Sequence, residues 1–268
     1  MINVKGESVF ENVRGEASMK LAISGKGGVG KTTIAAALVK SFAETHQTVY
    51  AIDADPDACL ALAIGIPEEV AAEIKPIVEM RDLIRAKTGE GAFYTLNPQV
   101  DDVLDSYCYQ QKNIKFIRMG GIKKGGSECY CRENTFLNAV VSSLLLDTNE
   151  VVIMDMGAGI EHLSRGTAKG VDLMLVVVEP SRNSINTAHL VKRLATDLGI
   201  RKVKIIGNKI RSPREKKYIE EHFLPGEILG FIEFNNEIWE KAMELNPNVA
   251  EELLSGMREI REKILREV

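Results

Sequence analysis

The nine residues Gly25-Lys26-Gly27-Gly28-Val29-Gly30-Lys31-Thr32-Thr33 constrain this chain more than any other stretch. They satisfy the phosphate-loop pattern G-x-x-x-x-G-K-[ST] at Gly25, Gly30, Lys31 and Thr32. The apolar run Leu21-Ala22-Ile23-Ser24 precedes them and reads as a strand, while Ile34 to Val39 reads as helix. In that strand–loop–helix setting, glycines let backbone N–H groups converge on phosphate oxygens, and the helix N-terminus adds partial positive charge. Gly25, Gly27, Gly28, Val29, Gly30, Lys31, Thr32 and Thr33 are therefore the predicted nucleotide contacts. Lys31 is expected at the β- and γ-phosphates and the Thr32 hydroxyl on Mg²⁺. A rival pattern uses the same residues. Gly25, Gly27 and Gly30 also spell G-x-G-x-x-G, and Asp53 ends the next strand where a dinucleotide fold keeps its ribose-binding acid. The Lys-Thr pair favours the phosphate loop, because a dinucleotide turn has no use for a lysine aimed at a γ-phosphate.

A chain of 268 residues, 45% of them hydrophobic, is long enough for one large α/β core. Its formal net charge of −4 makes no case for a nucleic-acid partner or an acidic membrane. No apolar run reaches the ~20 residues of a membrane span. Residues 1–18 are polar, lack the apolar core of a signal peptide, and are expected to be a poorly ordered extension. Residues 19–268 are expected to form a single ATPase domain. Four cysteines do not make a disulfide scaffold at this length, so a reduced, cytoplasmic setting is expected.

Thr48 to Ile52 reads as a second strand, ending in Asp53-Ala54-Asp55-Pro56-Asp57. Three acids at a strand's C-terminal edge lie where an α/β sheet keeps its ligands, although Asp is also a common helix cap. Residues 58–91 read as helical segments broken at Pro67 and Pro76. Ala92–Leu96 reads as a short strand, Asp101–Gln111 as loop, and Ile114–Met119 as a strand. Residues 120–131 are expected to be a glycine-rich loop, with Glu133-Asn134 opening a helix at Thr135. Val151–Asp155 is a buried strand ending in an acid, followed by Met156-Gly157-Ala158-Gly159. Leu173–Val178 is near-continuously apolar, as a parallel strand buried on both faces must be. A helix from Ser184 to Leu198 and strands at Val203–Gly207 and Ile228–Ile232 follow. Asn208 follows the first of these strands and reads equally as a base contact or a turn residue. Leu253, Met257, Ile260 and Ile264 recur at helical spacing with balanced charge on the other face, which favours docking onto the body over membrane binding. His46, His162, His189 and His222 show no ligand spacing. The alternation predicts a doubly wound, mostly parallel sheet with helices on both faces.

Cys129 and Cys131 form a C-x-C pair that chance alone would place about once in twenty-two such chains. Residues two apart in extended backbone point to one side, so both thiolates can share a soft ion. From Lys112 to Arg132 there are six Lys/Arg against one Glu, and nearby cations favour thiolates. Two ligands do not fill a Zn²⁺ or Ni²⁺ site, but a two-fold dimer brings four. A redox dithiol and two unrelated cysteines are the alternatives. Cys59 and Cys108 match no pattern.

The loop K-G-G-V-G-K-T, with its early lysine, resembles the deviant phosphate loop of the MinD/ParA/nitrogenase-iron-protein group of dimeric ATPases. The resemblance implies that Lys26 reaches the partner subunit's nucleotide. It further implies that Asp55 of D-x-D-P-D orients the attacking water, that Asp155 holds Mg²⁺ through water, that Gly157 senses the γ-phosphate, and that Asn208 binds adenine. The segments I-K-K-G-G-S-x-C-Y-C-R-E-N and M-D-M-G-A-G-I-E-H-L narrow it. From Met19 to about Lys209 the chain is similar to the CooC-type nickel-insertion ATPases that mature carbon monoxide dehydrogenase. That resemblance implies an ATP-driven homodimer holding nickel or zinc between subunits at Cys129 and Cys131, with carbon monoxide dehydrogenase as client. A positioning ATPase like MinD or ParA would need a membrane-inserting tail or basic face. An iron–sulfur carrier would need a cysteine where Ala158 stands, or a C-x-x-C near the C-terminus.

Overall fold

The computed structural model describes residues 18–55, 57–89, 95, 98–120, 131–143 (at 131–134 the backbone only), 149–157, 170–241 and 251–268. Its frame is an eight-stranded sheet. In chain order the strands are β1 (Met19–Gly25), β2 (Thr48–Ala54), β3 (Tyr109–Gln111), β4 (Ile114–Arg118), β5 (Glu150–Met156), β6 (Leu173–Val178), β7 (Val203–Ile210) and β8 (Ile228–Glu233). Across the sheet they run β3-β4-β2-β5-β1-β6-β7-β8. Every pairing is parallel except that of β3 with β4. The helices are α1 (Lys31–Ala43), α2 (Leu60–Ala63), α3 (Glu68–Glu73), α4 (Arg81–Thr88), α5 (Asp101–Tyr107), α6 (Cys131–Ser143), α7 (Arg182–Asp197), α8 (Pro213–Glu220), α9 (Asn236–Lys241) and α10 (Glu251–Glu267).

Successive strand residues point to opposite faces, and the sequence supplies apolar side chains to both. Leu21, Ile23, Val151, Ile153, Leu173, Leu175 and Val177 face one way and pack under α1 and α10. Ala22, Val152, Met154, Met174, Val176 and Val178 face the other way and pack under α6 and α7. Each fully buried Val, Leu or Ile contributes roughly 1.5–3 kcal/mol relative to exposure. The doubly wound expectation therefore holds. On α10, Leu253, Met257, Ile260 and Ile264 are buried in the α1 layer. Arg261 fixes that helix by donating to the Ser41 carbonyl at 2.6 Å. Docking of this helix onto the body is thus what the structure shows.

Two expectations change. Residues 101–107 form α5 and 109–111 form β3, where a loop was predicted over 101–111. Val103 supplies the reason: it is 1% exposed, so one apolar side chain in the core holds a segment of poor intrinsic propensity. The helix expected from Thr135 begins at Cys131. No Gly or Pro interrupts 131–143. The strand expected at 92–96 lies outside the described residues except for Thr95, whose N–H donates to the Thr88 carbonyl at 2.8 Å. The extension 1–18 lies outside them except for Ser18.

Candidate functional site

The site grows from the C-terminal ends of β1, β2, β5 and β7, which the parallel sheet brings to one edge. β1 runs into the phosphate loop, and Gly30 ends the loop as N-cap of α1 with φ 95°. That left-handed backbone suits glycine. A Cβ on Gly30 would also lie 2.6 Å from Asn208 Nδ2, so the loop's last glycine is required from two directions. Val29 turns its side chain into the core and leaves its backbone to the loop. Lys31 opens α1 and is 7% exposed.

β2 and β5 are neighbours in parallel register, with Asp53 directly opposite Asp155. Both are fully buried. Asp53 accepts from the N–H groups of Leu60 at 3.0 Å and Asp55 at 3.3 Å, so it caps α2 and holds the turn that follows β2. Burial pushes its carboxyl up to about 6, while those N–H groups and Arg118 pull the other way. Asp155 differs: among the described residues neither carboxylate oxygen has a hydrogen-bond partner. Burial pushes its carboxyl up to about 7. Asp53 and Asp55 add to the shift, whereas Lys31 and the Thr32 hydroxyl, near it but outside normal hydrogen-bond geometry, oppose it. A buried carboxylate with two open lone-pair faces is costly unless a cation or proton meets it. Hard oxygen donors from Asp155 and Thr32 suit Mg²⁺, which takes one or two carboxylates, phosphates and water.

Asp55 lies 4.0 Å from the Lys31 ammonium and accepts from the Asp57 N–H at 3.1 Å. Lys26 is 39% exposed and lies 3.8 Å from Glu179, the residue that follows β6. Glu179 itself accepts from Ser181 Oγ at 3.2 Å, and Ser181 caps α7 by accepting from the Ser184 N–H. Gly157 is buried directly after β5. Gly27, Gly28, Gly30, Lys31, Thr32, Thr33, Asp55, Asn208 and Lys209 line one cavity of about 380 Å³ that extends to Phe234 and Asn235 beyond β8. The structure thus brings the predicted loop residues together with Asp55 and Asn208.

Asn208 is not a turn residue. It lies within β7, 7% exposed, and its Nδ2 donates to the Val29 carbonyl at 2.8 Å. Sequence reasoning missed Lys209 and Glu179. The Asn-Lys dipeptide at a strand end was the available signal for the first. Nothing local marks the second, because it meets Lys26 only through the β1–β6 pairing.

Cys129 lies outside the described residues, as does the side chain of Cys131, whose backbone opens α6. Among the described residues no group of three or more His, Cys, Asp or Glu is arranged to hold a metal ion. Cys59 lines the nucleotide-sized cavity, and burial followed by the surrounding acids raises its thiol pKa, which is the reverse of an activated thiolate. Among the described residues no helix is long and apolar enough to cross a membrane.

Residues 20–248 match the CobQ/CobB/MinD/ParA nucleotide binding domain family. The carbon monoxide dehydrogenase accessory protein CooC of Rhodospirillum rubrum is 41% identical over 224 residues, covering 82% of this chain and 85% of that protein. An uncharacterized ATP-binding protein of Methanocaldococcus jannaschii is 42% identical over 227 residues, covering 82% of this chain and 87% of that protein. Among solved structures, the septum site-determining protein MinD complexed with Mg-ADP from Pyrococcus horikoshii superimposes with TM-score 0.65 at 19% identity, covering 92% of this chain and 96% of that one. A chain of the MinC:MinD cell division protein complex of Aquifex aeolicus gives TM-score 0.65 at 19% identity, covering 93% of this chain and 96% of that one. Motif, fold and the match over 20–248 converge: the chain is a CooC-like member of the CobQ/CobB/MinD/ParA family of phosphate-loop ATPases.

Proposed function

We propose that this protein is an ATP-driven maturation factor that carries nickel, or zinc in its place, to carbon monoxide dehydrogenase. The observation that carries the ATPase half is the buried, unpartnered carboxylate of Asp155 beside Lys31 and Thr32. The likeness to CooC supports the client. Lys31 turns from Asp55 to the β- and γ-phosphates, leaving Asp55 to accept a hydrogen bond from the attacking water. Loop N–H groups from Gly27 to Thr33 hold the phosphates, and Gly157 senses the γ-phosphate. Asn208 meets adenine through its side-chain carbonyl oxygen. Thr32 and Asp155 hold Mg²⁺, which supplies charge neutralisation for phosphoryl transfer. Lys26 leaves Glu179 to act on the partner subunit's nucleotide in a cytoplasmic homodimer built from residues 19–268.

The cargo half rests on Cys129 and Cys131. Each chain offers two thiolates, so a dimer offers the four that close a soft-metal site. A positioning role like that of MinD or ParA is disfavoured, because the apolar stripe of α10 is spent in the core. Titration of Ni²⁺ and Zn²⁺, counted per chain, tests the assignment. One ion per two chains is expected, with the site lost in the Cys129→Ala/Cys131→Ala variant and ADP binding retained. One ion per chain, or undiminished binding by the variant, refutes the shared site.

A further inference from the structure

A phosphate loop can bind an anion only if its N–H groups turn inward, which forces its carbonyls outward. Outward carbonyls need partners of their own. The loop's internal bonding is slight: the Val29 N–H reaches the Lys26 carbonyl at 3.4 Å. Two of the outward carbonyls are instead met by one dipeptide far along the chain. Asn208 Nδ2 donates to the Val29 carbonyl at 2.8 Å, and Lys209 Nζ donates to the Gly28 carbonyl at 2.6 Å.

The backbone at that dipeptide is shaped for the task. In the β7–β8 pairing Gly207 stands opposite Phe231 and Ile210 opposite Glu233, with the register shift between them. Asn208 and Lys209 therefore face Ile232 alone, which makes a β-bulge. Bulges re-aim side chains and cluster beside functional sites. Lys209 carries the distortion, with φ 60° in the left-handed region. A side chain other than glycine or Asn is strained there, and such strain persists where surroundings over-determine it. The bulge delivers both side chains to consecutive carbonyls of the loop, whereas a regular strand would send them to opposite faces of the sheet.

We propose that Lys209 is a positioning residue for nucleotide binding: from the β7 bulge it clamps the Gly28 carbonyl and holds the phosphate loop in its anion-binding shape before nucleotide arrives. The clamp is charge-assisted, and its ammonium adds to the positive field of the loop. The inference rests on the two hydrogen bonds and the bulge, and it stands independently of the metal and dimer readings above.

Lys209→Met removes the donor and keeps the apolar stem. Lys209→Gly removes the donor and also relieves the left-handed backbone. Both are expected to weaken ADP and ATP binding about tenfold, the loss that one charge-assisted bond predicts, and to raise the KM for ATP by more than kcat falls. Lys209→Arg, which keeps a cationic donor, is expected to recover most of that affinity. Stability and affinity should separate: the Gly variant should melt within about 2 °C of wild type while binding nucleotide as poorly as the Met variant. Calorimetric titration with ADP beside thermal melts of the nucleotide-free proteins reads both quantities. Wild-type ADP affinity in the Gly variant overturns the clamp, as does an affinity loss in the Met variant that follows its melting temperature and disappears in the Gly variant.

Discussion

The two carboxylates of Asp53 and Asp155 lie side by side in the sheet, and they are not alike. Asp53 has backbone N–H partners, whereas among the described residues Asp155 has none, so the first is a structural cap and the second is buried without a compensating hydrogen bond. Each has a folded pKa raised above its ordinary value of 3.8, to about 6 and about 7. The folded protein therefore binds more protons than the unfolded chain between about pH 4 and 7, and stability of the metal-free protein falls as pH rises through that window. Asp155→Asn removes the larger share of the penalty. It is expected to raise the metal-free melting temperature at pH 8 by several degrees, at about 2–4 °C per kcal/mol for a chain of this size, and to flatten the pH dependence. It should also abolish the extra stabilisation by Mg²⁺ with nucleotide. Melting curves from pH 4 to 8 for both proteins decide this. A variant less stable than wild type at pH 8 contradicts the unpartnered-carboxylate reading. Asp55→Asn should behave otherwise, leaving Mg·ATP bound while turnover nearly stops, because the role proposed for Asp55 is to orient the attacking water and not to hold the cation.

At the scale of elements, the loop after β6 ties the signature lysine to a helix start. Ser181 accepts from the Ser184 N–H as cap of α7 and donates to Glu179, while Ser184 Oγ receives the Glu179 N–H. Loss of a serine cap costs about 1 kcal/mol. Ser181→Ala is expected to lower stability by that amount and to loosen Glu179 against Lys26. Ser181→Asp, which keeps an N-cap acceptor and puts a carboxylate beside Glu179, should restore the helix start but repel Glu179. Urea unfolding of the two variants separates capping from carboxylate placement. A Ser181→Ala variant as stable as wild type would mean the cap is energetically silent. The two strand-and-helix pieces at 101–111 teach a related lesson about elements. Their residues carry weak local signals, and Val103 and the β3–β4 pairing hold them in place from outside.

At the scale of the whole molecule, Lys26 sits 39% exposed at the rim, free to leave a 3.8 Å ion pair that is too solvated to be worth more than about 1 kcal/mol. A cation in that position can cross to a second subunit at little cost, as an arginine finger does, and such groups supply ~10³-fold or more in rate. Lys26→Ala is accordingly expected to keep ATP binding and to lose both hydrolysis and dimer formation with a non-hydrolysable ATP analogue. Lys31→Ala should instead lose nucleotide affinity, because it removes the buried cation proposed to meet the phosphates. Equilibrium sedimentation reports the difference, and a Lys26→Ala protein that still dimerises would falsify the role in trans.

What the sequence determined by itself was local and periodic. The phosphate loop declares its chemistry through spacing alone, because glycines and a Lys-Thr pair at fixed offsets have few other uses. The parallel sheet was legible because strands such as Leu173–Val178 are apolar on both faces, which only a sheet covered by helices on both sides can bury. Asp55, Asp155 and Asn208 were legible as strand-end polar residues at the edge where such a sheet keeps its ligands. Tertiary structure alone decided which of these groups touch. The register that sets Asp53 against Asp155, the β1–β6 pairing that puts Glu179 within reach of Lys26, and the bulge that sends Lys209 to Gly28 all join residues far apart in the chain. Hydrogen bonds and desolvation act over a few ångströms, and only the fold closes those distances.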